Sequence, residues 1–481
     1  MRGTSPAKAT GSDFKAGPHC GPAFLYLPLC SILGSMNNRY DVIVVGGGLA
    51  GCAAAVAAAR EGKQTLLLER YGCLGGWATV ALVNPFMTHR ASDGKPLVSG
   101  LFDTLLDRLR AAGGLKVNSF DAETMIFQLQ EMVLKSGADI RLHTLFDSAL
   151  FEDDGIRLSL RSKSGVESVS CRRLIDCSGD GDAAVALGAG FQTGNENGLP
   201  QAATLMFDVG GVDLEKAIEY VRDHPDQMRF PILKPDADPK AMAGDIFSAA
   251  GYYDLVKKAR DDGNYPVPGD LIFYITRPRA GEVVFNTTHI GRVDGTNADD
   301  LTRAEIEGRR QMMSVVSMVR GYIPGFENAF LARGAAHVGI RETRRIAGRY
   351  TFCARDVIEA RKFGDAICRL AYPVDVHSGS GEGYTKGEEF AMAPQKPPPG
   401  DWYEIPYRCL LPEGLPNVLV AGRCVSSTQA GHGAIRIMPA CMAMGEAAGT
   451  AAAMSLDQGR SPADIDVPAL IRRLRKHGAL V

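Results

Sequence analysis

The stretch Tyr40-Asp41-Val42-Ile43-Val44-Val45-Gly46-Gly47-Gly48-Leu49-Ala50-Gly51 decides the reading of this chain. An apolar, β-branched run ends in three glycines, and a run of small residues follows at once from Ala53 to Ala59. Strand, tight turn and helix are the parts of a dinucleotide-binding βαβ unit. Gly46 allows the turn, Gly48 lets a pyrophosphate reach the backbone, and Gly51 lets the helix pack on the strand. Leu49 and Ala50 open the helix, whose N-terminus offers free N–H groups and a partial positive charge to an anion. Thr65-Leu66-Leu67-Leu68 reads as the next strand. Glu69 closes it about 20 residues beyond the glycines, where a carboxylate can accept hydrogen bonds from a ribose. A glycine triplet alone says little, but this whole sequence of parts points to dinucleotide binding.

At 481 residues the chain is long enough for two lobes. With 53 basic and 55 acidic residues it has no charge excess of the kind that draws nucleic acid or an anionic membrane. No apolar run reaches the roughly 18 residues of a transmembrane helix. The eleven cysteines are scattered, with no C-x-x-C pair, so no metal or iron–sulfur ligand set is expected. Buried thiols such as Cys52 and Cys177 suit a reducing, cytoplasmic compartment. Residues 1–35 differ from the rest, being rich in Gly, Pro and Ser. They read as a disordered extension or a misassigned start, since Pro22 and Pro28 interrupt the one apolar patch and Met36 lies just before the first strand.

Further along, Arg70-Tyr71-Gly72-Cys73-Leu74-Gly75-Gly76-Trp77-Ala78-Thr79 is a second glycine-rich loop. Residues 120–135 carry Met125, Leu129, Met132 and Val133 at helical spacing and stop at Ser136-Gly137. Residues 139–143, 149–160 and 167–177 read as strands, the last running into Ser178-Gly179-Asp180-Gly181-Asp182. Between about 195 and 400 the composition turns more polar and aromatic, with helices expected over 304–320 and 354–362. Nucleotide-type sequence then returns. Residues 418–421 read as a buried strand, Gly422-Arg423 as a turn, Gly431-His432-Gly433 as a glycine loop, and 440–454 as a small-residue helix.

One N-terminal nucleotide fold closed by a C-terminal strand–glycine–helix segment resembles the two-dinucleotide-binding-domains superfamily of flavoproteins. Within it the chain looks like the FAD-dependent oxidoreductase family related to the flavin module of heterodisulfide reductase. The likeness is carried by residues 46–51, 69–79 and 175–182, by Gly339-Ile340-Arg341-Glu342-Thr343-Arg344-Arg345, by Tyr372-Pro373-Val374-Asp375-Val376-His377, by Ile405-Pro406-Tyr407-Arg408 and by residues 418–449. It covers nearly everything after Met36. The chain departs from that relation in lacking clustered cysteines. The resemblance implies an α/β fold: a Rossmann-like FAD-binding domain built from residues 36–194 and 401–481, with an inserted α+β substrate or cap domain over 195–400.

It also implies roles. Gly46, Gly48, Leu49, Ala50 and Gly51 would hold the FAD pyrophosphate and Glu69 the adenosine ribose. Arg70 would cover the adenine or a phosphate, or else stay solvated. Gly75, Gly76, Ala78 and Thr79 would pass the pyrophosphate and flavin, and the Phe146 backbone would meet the adenine. Ser178, Gly179, Asp180 and Asp182 would approach the ribityl or pyrophosphate region, or Asp180 or Asp182 would instead cap the next helix. Gly422 and Arg423 stand where the superfamily has Gly-Asp, and arginine cannot accept the hydrogen bond that an aspartate would. Ile437 and Met438, before Pro439, would open a helix whose positive end faces the flavin pyrimidine. His432 and Arg436 flank that helix and, with His377 beside Asp375, are candidates to bind substrate or move a proton. Arg341 belongs to a charge group that either reaches the active site or forms surface salt bridges.

The expected function is an FAD-dependent oxidoreductase moving a hydride between a small organic substrate and a noncovalently bound flavin. Two alternatives stay open: an electron-transfer flavoprotein that serves a redox partner protein, and a protein that holds FAD structurally. No nucleic acid or membrane partner is expected, and a homo-oligomer stays open.

Overall fold

The apolar run after Tyr40 forms strand β1 (Arg39–Val45), and it is continuous because both of its faces are enclosed. Val42 and Val44 join the core around helix α1 (Leu49–Arg60), while Tyr40, Ile43 and Val45 join a second core on the opposite face of the sheet. The computed structural model describes residues 37–229, 233, 236–380 and 395–481. The expectation for residues 1–35 lies outside these.

β1 is central to a seven-stranded sheet. On one side it pairs in parallel with β2 (Thr65–Leu68), which pairs with β3 (Asp139–Arg141). Three antiparallel strands, β4 (Thr144–Glu152), β5 (Gly155–Ser162) and β6 (Gly165–Asp176), form the other side. The end of β6 lies parallel to β1 and also to β7 (Val418–Val420), so the C-terminal strand returns to the first sheet. Helix α2 (Met438–Asp457) follows it and lies along α1. Both helices are rich in Ala and Gly because their backbones nearly touch. A Cβ on Gly445 would stand 2.0 Å from the Ala50 carbonyl oxygen, and one on Gly449 would stand 2.2 Å from that of Ala54.

The middle of the chain builds a five-stranded antiparallel sheet in the order Ser248–Gly251, Ile272–Thr276, Val283–Phe285, Phe207–Gly210, Phe330–Gly334. The expected helix over 304–320 is longer, Ala298–Tyr322, because Asn297 caps it by accepting from Asp299 N–H and Asp300 N–H. The helix expected over 354–362 is shorter, Ala354–Ile358, because the chain turns at Ala360 (φ 48°). Two polar ties join this sheet to the first lobe. Ser119 Oγ donates to Thr276 O at 2.9 Å, and Arg277 bonds both Asp208 and the Phe120 carbonyl. No described helix is long and apolar enough to cross a membrane.

Candidate functional site

The turn after β1 needs Gly46, which has φ +100°, and a Cβ there would stand 2.4 Å from Cys177 O. At Gly51 a Cβ would stand 1.8 Å from Gly46 O, so α1 starts in direct contact with the turn. Gly48 is different. Its backbone is extended, and a Cβ would meet no atom nearer than Gly76 Cα at 3.9 Å. No side chain caps α1, so its first N–H groups are left for a ligand. Gly75 N–H donates to Gly47 O at 2.8 Å and lays the second glycine loop against the first.

A cleft of about 1040 Å³, part of it open to solvent, surrounds these two loops. Gly46, Gly48, Leu49 and Ala50 line it from the first loop, and Glu69, Arg70, Gly75, Gly76 and Ala78 from the second. Phe146, Ser178 and Gly179 face it from the β4 and β6 sides, and Arg423, Arg436 and Met438 from the C-terminal segment. Gly51, Thr79, Gly422 and Ile437, also expected at the cofactor, do not line the cleft. Thr79 Oγ1 donates to Leu74 O at 2.8 Å, closing its own loop. Tyr71, Trp77, Thr144, Leu145 and Cys177 also line the cleft and are not among the residues the sequence singles out for it, and Asp182 and Cys441 complete its wall. Cys441 lies three residues after Met438 on the same helix face.

Glu69 is buried at the cleft wall (5% exposed). Its Oε2 accepts from Gly47 N–H at 2.7 Å and its Oε1 from Tyr71 N–H at 2.8 Å. Burial pushes its carboxyl above the ordinary range, and those N–H groups pull it back. The residue expected to hold a ribose therefore also fixes both glycine loops.

Neither Asp180 nor Asp182 caps the helix that follows β6, and Asp182 lines the cleft. The buried Asp176, with Oδ2 accepting from Ala184 N–H at 2.8 Å, and Ser178 Oγ, accepting from Asp182 N–H at 3.1 Å, satisfy the next helix. Asp180 is instead an ion-pair centre. It accepts from Arg423 Nη2 at 2.7 Å and Thr343 Oγ1 at 2.9 Å, with Arg70 Nη2 3.8 Å away. Burial opposes its charge, yet Arg423 and Arg70 hold its carboxyl below the ordinary range. Asp182 pairs with Arg344. Burial, then the like charges of Asp180 and Asp176, push its carboxyl up to about 6.

Arg436 donates through Nη2 to Asp375 O at 3.1 Å and lies 3.4 Å from Asp375 Oδ2. Asp375 also accepts from Tyr372 OH at 3.0 Å and lies 3.3 Å from His377 Nε2. Against the effect of burial, His377, Arg436 and Arg341 hold the Asp375 carboxyl well below the ordinary range. Burial, then Arg341, lowers His377 to about 4, so it is neutral near pH 7.

Two expectations are corrected here. His432 does not face the cleft. It is fully enclosed, Nε2 meets the Arg423 carbonyl at 2.8 Å, and burial lowers its pKa so that it stays neutral. The charge group 341–345 is not a surface cluster. Glu342 and Arg345 are buried (0% and 3% exposed), with Glu342 accepting from Gln201 and Gln429 and Arg345 donating to Ser427 O and Gly194 O. Arg341, also buried, donates to Ala202 O and does not line the cleft. The enclosing segments come from distant parts of the chain, which is why composition alone suggested exposure.

An open cradle at Gly48, an uncapped helix N-terminus and an acid at the end of β2 fit the pyrophosphate and ribose of FAD. Glycine oxidase of Bacillus subtilis is 31% identical over 137 residues, 28% of this chain and 32% of its own length. Digeranylgeranylglycerophospholipid reductase 2 of Methanothermobacter thermautotrophicus is 27% identical over 192 residues, 37% of this chain and 48% of its own. The chain thus spans less than half the length of these curated relatives. A geranylgeranyl bacteriochlorophyll reductase-like protein from Thermoplasma acidophilum aligns with TM-score 0.42 and 12% identity over 91% of this chain and 83% of its own. The family described as FAD dependent oxidoreductase matches residues 41–475. The chain belongs to the FAD dependent oxidoreductase family, and FAD is its cofactor.

Proposed function

We propose that this enzyme moves a hydride between a small organic substrate and noncovalently held FAD, with Arg436 facing the substrate and the Asp375–His377 pair behind it. The observation that carries this reading is the shared cleft. It runs from the bare N-terminus of α1 to Arg436, Met438 and Cys441 at the start of α2. FAD, when bound, supplies the two-electron chemistry. Arg436 is tethered to Asp375 and presents a fixed cation at that end, suited to orient an anionic or carbonyl group. His377, neutral beside an ionised Asp375, does not line the cleft and acts through Asp375 as a positioning residue for Arg436. His432 acts as a positioning residue, holding the carbonyl of Arg423.

The motifs at 339–345, 372–377 and 405–408 support a narrower kinship with the flavin module of heterodisulfide reductase. In that case a redox partner protein would take the electrons. The described cysteines are free thiols, which supports a reducing compartment such as the cytoplasm. The test is Arg436→Ala and His377→Ala. Both should retain the visible absorbance of bound flavin and lose about 100-fold or more of turnover with an identified donor. Wild-type turnover in Arg436→Ala, or FAD lost together with activity, would overturn the assignment.

A further inference from the structure

Trp77 stands where three parts of the chain meet. Gly75 and Gly76 before it have φ +108° and +54°, and Gly75 is bonded to Gly47, so the Trp77 backbone is fixed against the turn at the α1 N-terminus. Its indole N–H donates to Ile340 O at 3.0 Å, which anchors the ring to the segment carrying Arg341 and Thr343. The ring is half-buried and forms part of the cleft wall. His337 packs against it with centroids 5.0 Å apart, and the guanidinium carbon of Arg423 lies 5.7 Å from its centre.

Arg423 is equally fixed. Asp180 and Thr343 accept from its two terminal nitrogens, at 2.7 and 3.2 Å, and its backbone carbonyl is held by His432. Its guanidinium lies so close to Gly179 that a Cβ there would stand 2.8 Å from Nη2. Asp180 is shared between Arg423 and Arg70, so two cations meet at one anion. Asp182, the next carboxylate, is taken up by Arg344.

We propose that Trp77 and Arg423 form the flavin-facing wall of the cleft: the indole covers the apolar ring system, and the immobilised guanidinium stabilises the negative charge of its reduced form. A cation already held in place needs no reorganisation when that charge appears, and a partly dry site screens it little. The inference rests on FAD occupying this cleft and is independent of the substrate and of the role given to Arg436.

The chain has two tryptophans, and Trp402 packs elsewhere, against Lys362 and Arg369. The full-length Trp402→Phe protein therefore reports on Trp77 alone. Titrating its FAD-free form with FAD should quench most of the indole emission in step with bound-flavin absorbance. Trp77→Phe should bind FAD roughly 2–10-fold more weakly, the range for losing an aromatic contact. Arg423→Gln should shift the flavin midpoint potential to a more negative value, and Arg423→Lys should restore it. Indole emission that persists in Trp402→Phe while FAD is bound would overturn the placement of Trp77. An unchanged potential in Arg423→Gln would overturn the role of the charge.

Discussion

At the scale of single residues, Glu69 binds two backbone N–H groups from two loops before any ligand arrives. Glu69→Ala leaves both unpaired in a buried place, and an unmet buried donor costs about 1–3 kcal/mol. That cost falls on fold stability; the ribose hydroxyls would also lose their acceptor, so FAD affinity should fall by about 1–3 kcal/mol, measured by titration of the FAD-free protein, and unchanged affinity would remove Glu69 from the site. Asp182 gives a test by pH. Its folded carboxyl is raised from 3.8 to about 6, so the folded chain favours the protonated form. The stability this contributes is whole below 3.8 and is lost as pH rises through about 6. Asp182→Asn removes that loss. The denaturation midpoint of the variant relative to wild type should therefore rise between about pH 4 and pH 8, and a pH-independent difference would show that Asp182 carries no such shift.

At the scale of elements, the three glycines of the first turn are not equivalent. A Cβ at Gly51 strikes the Gly46 carbonyl at 1.8 Å, whereas one at Gly48 meets nothing nearer than Gly76 Cα at 3.9 Å. Gly51→Ala should destabilise the apoprotein by about 1–3 kcal/mol or more, as overpacking does. Gly48→Ala should leave apoprotein stability within about 0.5 kcal/mol and still weaken FAD binding, because its Cβ enters the space meant for the cofactor. Denaturant unfolding and FAD titration on the two variants separate the effects. Equal loss of stability in both would contradict the open cradle. The contact of Gly445 and Gly449 with α1 applies the same logic to two helices, which is why both are built of small residues.

At the scale of the whole molecule, the cleft depends on both chain ends and on the docking of the middle sheet. Arg277 and Asp208 are 6% and 5% exposed, and Arg277 also reaches the first lobe through Phe120 O. Removing one partner of a buried ion pair leaves the other charge uncompensated and costs about 3–5 kcal/mol. Asp208→Ala should lower unfolding free energy by about that much. A loss below about 1 kcal/mol would show that the pair does not hold the sheet to the first lobe.

Elements whose cause is local could be read from the chain before folding. β1, its turn and α1 are legible because an apolar run, a glycine that must take positive φ and a run of small residues are all written within twenty positions. The return of β7 and α2 to the first lobe was legible for the same reason, since the second strand–glycine–helix pattern repeats the composition that close packing requires. What surrounds each charged or aromatic side chain was settled by the folded arrangement instead. Arg423 and Asp180 are 243 residues apart, and nothing near either one announces the other. His432 looked available for chemistry until the segments around it were seen to enclose it and leave its Nε2 against a backbone carbonyl. Trp77 sat unremarked in a glycine loop until Ile340, His337 and Arg423 closed around it. Backbone conformation follows from neighbours in sequence, whereas burial and charge pairing follow from neighbours in space, and these come from parts of the chain that folding alone brings together.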